Sequence, residues 1–133
     1  MQKVYLAGQP NQYENNWKED FKRLDGFDFY DYEFDSNQSS PDTFFPDDLK
    51  AIFSADILVA HPGLAPSEAT WVEIGIFYKN NVKQAGDFCD KLIIIWKKDR
   101  LPRWSIEFVN KTGVVVESVE EAIKILNKLK INN

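Results

Sequence analysis

The chain has 133 residues, enough for one compact domain over 1–133 and too few for a second sizeable core. Its 44% hydrophobic and 28% charged residues are ordinary for a folded domain, but a net charge of −5 and a pI near 4.9 lack the basic footprint of a nucleic-acid binder. The single cysteine, Cys89, excludes an intramolecular disulfide, and no apolar run is long enough for a bilayer span or a signal-peptide core. A cytoplasmic location is therefore expected, with neither a membrane nor a nucleic-acid polymer as partner. Aromatic residues, at 14%, are abundant. They either line a pocket or simply fill a small core.

In chain order, Val4 to Ala7 is a short buried strand ended by Gly8-Gln9-Pro10. Trp17, Phe21 and Leu24 recur at helical spacing and predict a helix from about Tyr13 to Leu24. Phe27 to Tyr32 alternates as a strand, and the polar stretch from Asp35 to Asp42 reads as a mobile surface loop. Pro46-Asp47-Asp48 reads as a helix start, because proline is tolerated there and acids suit the positive end of the dipole; this helix runs to about Ser54.

Asp56 to Ala60 is the next strand, followed by the loop that begins at His61. Ser67 is placed as the N-cap of a helix through Glu73 to about Asn80. Leu92 to Trp96 is the most apolar strand. Pro102 to Val109 is either a short helix or irregular, Val114 to Val116 a last strand and Ser118 to Leu129 a last helix. Ser118 and Glu121 form a capping box there, with Ala122, Ile125, Leu126 and Leu129 on one face.

Strands alternating with helices predict an α/β three-layer sandwich around a parallel sheet of about five strands. The expected arrangement is flavodoxin-like (Rossmann-like), in the order 2-1-3-4-5. Ligands of such sheets bind beyond the carboxyl ends of the strands, near the switch point. That rule selects Gly8 and Gln9 after the first strand, His61 after the third, and the helix starts carrying Asp48 and Glu73.

Glu73 near a helix N-terminus is expected to stay ionised and able to attack an anomeric carbon; the alternative is a solvated helix acid. Asp48 is either a helix-start acid or a proton donor whose pKa a neighbouring carboxylate raises. Tyr5 is either a core aromatic or a residue that orients a carboxylate. His61, the only histidine, makes no zinc site with the distant Cys89, and no metal or cofactor is expected. The glycines fit neither a dinucleotide fingerprint nor a Walker loop, and G-x-S-x-G is absent.

The segments KVYLAG, PDDLKAI, ADILVA, ATWVEIGIFY, LIIIW and VVVESVEEAIKIL, in that order, resemble the nucleoside 2-deoxyribosyltransferase family and its nucleotide N-glycosidase relatives. The resemblance implies that Glu73 is the nucleophile on the anomeric carbon, that Asp48 protonates the leaving base, and that Tyr5 positions the nucleophile. It also implies a homodimer or higher homo-oligomer with shared active sites, in which Ser105 occupies roughly the place of a polar residue lent by the neighbouring subunit. Where several family members carry a base-contacting aspartate, this chain has Ser67, with Glu68 beside it. The first loop, GQPNQYENNW, contains no basic residue, unlike a turn built to hold a 5′-phosphate.

The expected activity is cleavage of a 2′-deoxynucleoside through a deoxyribosyl-Glu intermediate, with transfer of the sugar to another base or to water. The expected partners are a small nucleoside or nucleotide and a free nucleobase. The alternatives are a 5′-monophosphate deoxynucleotide N-glycosidase and a non-catalytic nucleotide-binding module.

Overall fold

The structure, a computed structural model, describes residues 1–9, 16–63, 68–97 and 103–130, the side chains of 103–106 excepted. The elements in order are β1 (Gln2–Gly8), α1 (Trp17–Lys22), β2 (Phe27–Asp31), α2 (Tyr32–Asp35), α3 (Pro41–Ser54) and β3 (Ile57–His61). They continue with α4 (Glu68–Asn81), β4 (Leu92–Ile95), α5 (Arg103–Thr112), β5 (Val114–Val116) and α6 (Val119–Leu129). The five strands form one parallel sheet in the order β2-β1-β3-β4-β5, the flavodoxin-like arrangement expected from the alternation of elements.

Both faces of the sheet are covered, which explains the unbroken apolar runs of its inner strands. One face carries Tyr5, Ala7, Leu58, Ala60, Leu92 and Ile94 against Ile52 of α3, Ile74 and Phe77 of α4 and Val109 of α5. The other carries Val4, Leu6, Val59, Ile93 and Ile95 against Trp17 and Phe21 of α1 and Ala122 and Leu126 of α6. Each large side chain buried in this way contributes about 1.5–3 kcal/mol. At the start of α6 the Ser118 hydroxyl accepts from the Glu121 amide at 3.1 Å. The Glu121 carboxylate reaches one residue further back than a capping box requires, to the Glu117 amide at 3.4 Å.

Several boundaries differ from expectation. The second strand, expected to reach Tyr32, ends at Asp31, and Tyr32–Asp35 form the single turn α2, capped by Asp31, whose side chain accepts from the Glu33 amide at 3.1 Å. The helix expected to open at Pro46 opens at Pro41 instead. Pro41 occupies the favoured first position, and the Ser40 amide donates to Thr43 Oγ1 at 3.4 Å. Pro46 therefore lies inside α3, and Asp48 sits two turns in rather than at the dipole's positive end. The uncertain stretch from Pro102 resolves as a helix from Arg103. The first helix, expected from about Tyr13 to Leu24, opens at Trp17 and ends at Lys22, with Asn16 in the left-handed region as its N-cap. Pro10 to Asn15 and Ser67, with the cap expected there, lie outside the described residues.

Candidate active site

The candidate site lies at the carboxyl end of the sheet, on the face covered by α3 and α4. Tyr5 and Tyr30 are direct partners in the parallel register of β1 and β2, so their rings lie side by side. The centroids are 5.3 Å apart with planes inclined by only 17°, a stacked pair. Each ring extends its hydroxyl to a different helix. Tyr5 donates to Oε2 of Glu73 on α4, and Tyr30 donates to Oδ1 of Asp48 on α3 at 3.0 Å.

Glu73 is brought in by helix periodicity. It lies three residues after Thr70 and four before Phe77, both buried, so it shares the stripe of α4 that faces the sheet. A cavity of about 360 Å³ opens between α3 and α4, with Asp48, Glu73, Gly8, Tyr32, Gln38 and the apolar rim of Phe44, Phe45 and Val72 in its wall.

Burial dominates the electrostatics here. Desolvation pushes the Glu73 carboxyl up to about 7, with a further push from the charge of Asp48, and the Tyr5 hydrogen bond and the Lys18 ammonium only partly oppose it. The dipole argument that would keep Glu73 ionised is thus outweighed, since Glu73 is the sixth residue of α4 and lies beyond the first turn where that effect is strong. Asp48 is also raised, chiefly by burial and partly by Asp47, while hydrogen bonds from Tyr30 and Ser36 hold it down. Both tyrosine hydroxyls are driven upward by burial and by their carboxylate partners, so they act as donors throughout the neutral range.

The floor of the site is fixed from the opposite face. Lys18 is fully buried and pairs with Asp31 at 2.9 Å and Glu33 at 2.7 Å, while Lys22 also reaches Asp31 at 2.6 Å. The Lys18 ammonium lies 3.9 Å from the centroid of the Tyr32 ring, and the Tyr32 hydroxyl donates to the Gly8 carbonyl at 3.0 Å. Gly8 has no alternative there. A Cβ would meet the His61 carbonyl oxygen at 2.3 Å, so only glycine lets β1 and β3 lie this close.

The sequence-selected residues therefore divide. Glu73, Asp48 and Gly8 line one cavity, and Tyr5 is tied to it through its hydrogen bond to Glu73. Gln9 does not line it: its side-chain amide donates to the Pro62 carbonyl at 3.1 Å, which ties the end of β1 to the segment after β3. His61 packs on Trp17 with centroids 5.2 Å apart and is likewise not in the described lining. Glu68 is exposed at the first residue of α4 and is also outside it. Ser67 and the Ser105 side chain lie outside the described residues.

Sequence reasoning missed Tyr30, Tyr32 and Gln38. Tyr30 was within reach, since the expected order puts the first two strands side by side and strand alternation sends Tyr30 to the face opposite Phe29. Among the described residues, no group of three or more His, Cys, Asp or Glu is arranged to hold a metal, and no helix is long and apolar enough to cross a membrane.

Two solved structures share this architecture over nearly the whole chain. One is the CMP N-glycosidase BcmB of Clostridium botulinum, with a TM-score of 0.63 at 21% identity over 95% of this chain and 99% of that one. The other is the solution structure of BlsM, with a TM-score of 0.57 at 19% identity over 98% of this chain and 95% of that one. At such identities the likeness establishes the fold. No family model and no curated protein sequence matches the chain.

Proposed function

We propose that this chain cleaves the N-glycosidic bond of a 2′-deoxynucleoside by a double displacement. One observation carries the proposal: two partly buried carboxylates, each held by its own tyrosine, face a single nucleoside-sized cavity. In the first step Glu73 attacks C1′, the C1′–N bond breaks, and its electron pair goes to the base nitrogen, which takes a proton from Asp48. The product is a free base and a deoxyribosyl ester on Glu73. In the second step another base, or water, attacks C1′, the ester bond breaks, and the proton of the incoming nucleophile returns to Asp48. The preference for 2-deoxyribose rests on the family resemblance of the segments around Tyr5, Asp48 and Glu73. A homodimer belongs to the same proposal, with Ser105 lent across the interface.

The mechanism needs Glu73 ionised while Asp48 keeps a proton. Of the two, Glu73 is the carboxyl that burial pushes up to about 7. Positive charge developing on the sugar favours the Glu73 carboxylate, and each unit of pKa separation to be overcome costs only about 1.4 kcal/mol. That is small beside the barrier to glycosidic cleavage.

The test is covalent. A 2-fluoro-2-deoxy nucleoside, slow in the second step, should add the mass of one fluorinated sugar to the Glu73 peptide, and Glu73→Gln should carry no adduct. An unchanged rate of base release by Glu73→Gln would overturn the proposal.

A second reading is hydrolysis of a nucleoside 5′-monophosphate, favoured by the near-complete overlap with a structure described as a CMP N-glycosidase. The burial of Lys18 in its ion pairs leaves that lysine unsuited to cradle a phosphate. A kcat/KM higher for the monophosphate than for its nucleoside would favour the second reading. Tight binding without base release or exchange would identify a binding module instead.

A further inference from the structure

Lys18 lies on α1 beside Trp17 and one turn from Phe21, both packed on the sheet, and is itself fully buried. Its ammonium is held by Asp31 of β2 at 2.9 Å and Glu33 of α2 at 2.7 Å, and Lys22 takes the other oxygen of Asp31 at 2.6 Å. Removing an ammonium from water is seldom offset by the ion pairs it forms, and replacing a buried ion pair by apolar groups is often neutral or stabilising. Lys22 would still pair with Asp31 without Lys18. Stability alone therefore does not call for a lysine at this position.

The place of its charge does. The ammonium lies 3.9 Å from the centroid of the Tyr32 ring, and Tyr32 lines the cavity with Asp48 and Glu73. Lys18 is thus one ring away from the cavity without reaching it, and a charge that acts across a ring rather than water is weakly screened. Around Glu73, burial favours the protonated form most, the Tyr5 hydrogen bond from β1 opposes it, and the charge of Asp48 on α3 adds to it. Lys18 is the one cation that acts on Glu73 among the described residues. Lys18 is itself faced by Asp31 from β2, by Glu33 and Tyr32 from α2 and by Lys22 of its own helix, which also pairs with Glu19 at 3.4 Å. We propose that Lys18 is a positioning residue for the reaction: from behind Tyr32, its buried charge holds Glu73 in the carboxylate form that attacks C1′. The ammonium gives nothing to the substrate and acts only through Glu73.

This inference rests on the proposed function for the role of Glu73, and its test separates the two. The Glu73 carboxyl is titrated by carbon-13 NMR in protein labelled at the glutamate carboxyls, with Glu73→Gln assigning the resonance, in wild type and in Lys18→Met. Because Lys18→Met takes one cation out of a buried cluster, the balanced pair Lys18→Met/Glu33→Gln is made as well; there Lys22 still pairs with Asp31. Base release from deoxycytidine and deoxyadenosine is followed in the same proteins between about pH 5 and pH 9. Both variants should move the Glu73 midpoint upward from about 7 by about 0.5–1 unit, and the rising limb of base release should move with it. At about pH 7 that is a loss of about two- to fivefold, which should vanish toward about pH 9, where Glu73 is ionised in every protein.

An unchanged Glu73 midpoint in a folded variant, a loss that persists at high pH, or failure of both variants to fold makes Lys18 structural only, overturning its role and leaving the catalytic proposal standing. A midpoint that moves, in proteins that release no base from any nucleoside or monophosphate, sustains the action of Lys18 on Glu73 and overturns the catalytic proposal. A midpoint that moves while the limb of base release stays in place overturns both, because turnover then does not depend on the Glu73 carboxylate.

Discussion

The two carboxylate–tyrosine pairs of the site are built alike but differ in depth. Tyr5 and Glu73 join β1, an inner strand, to the face of α4 that packs on the sheet, and Tyr5 is completely buried. Tyr30 and Asp48 join β2, the edge strand, to the middle of α3, and both residues are half-buried. Burial pushes the carboxyl of the deeper pair up to about 7, while the shallower one, held by two hydrogen bonds, rises less. The lesson is that hydrogen bonding to a tyrosine does not decide the charge of a carboxylate at this site. Its distance from water does.

The largest effects should come from removing one carboxylate at a time. Asp48→Asn should lower base release by about 10²–10⁴-fold on ordinary deoxynucleosides. It should matter little for 7-methyl-2′-deoxyguanosine, whose base departs neutral without a proton. Glu73→Gln should be impaired on both substrates alike, by about 10³-fold or more. Equal sensitivity of Asp48→Asn to the two leaving groups would remove the acid role from Asp48.

A smaller effect separates the tyrosines. Activity should rise with pH through a midpoint near 7 as Glu73 ionises. Tyr5→Phe removes a hydrogen bond that favours the carboxylate, so that limb should move to higher pH, with a loss of about tenfold at pH 7. Tyr30→Phe keeps the ring stack and removes the donor to Asp48, so it should leave the Glu73 limb in place. A pH–rate profile of each variant checks this, and identical displacement of the limb in both would mean that the pairs titrate as one unit.

The smallest effect is on stability. Glu73 has a folded pKa near 7 against a model value of 4.5, so the folded protein binds the proton more tightly than the unfolded chain. The stability gained from that proton is complete below about 4.5 and disappears as pH rises through 7. Glu73→Gln should therefore unfold later than wild type at pH 8, by about 1–3 kcal/mol or a few degrees in Tm, with the gap closing toward pH 4.5. The same comparison for Asp48→Asn should show a smaller gap. Thermal melts across pH 4.5–8 test both.

Most of the fold was legible because a parallel sheet buried on both faces writes itself as apolar runs. ILVA and LIII needed no further information. The start of α3 was misread because Pro46-Asp47-Asp48 looks like a first turn, whereas Pro41 behind Ser40 is the real one and the helix tolerates a second proline. Tyr5, Asp48 and Glu73 were accessible through the switch-point rule and the resemblance. Gln38 was not, because its place depends on the path of a short connection that has no periodicity. The charge state of Glu73 was not either. A residue's position along α4 can be counted from sequence, but how much water reaches it depends on how closely α3 and β1 close over it.

The internal proline of α3 has a consequence for adaptation. Pro46 has no amide hydrogen to give to the Asp42 carbonyl, so the ladder of α3 loses a rung between the rim residues Phe44 and Phe45 and the acid Asp48. The rim belongs to the weaker first turns and the acid to the intact remainder, which packs through Ile52 into the core. Substitutions that reshape the entrance can then accumulate on one side of that break while Asp48 stays in register on the other. The helix is in effect two parts with separate tolerances, one open to drift at the rim and the other held by its packing on the core.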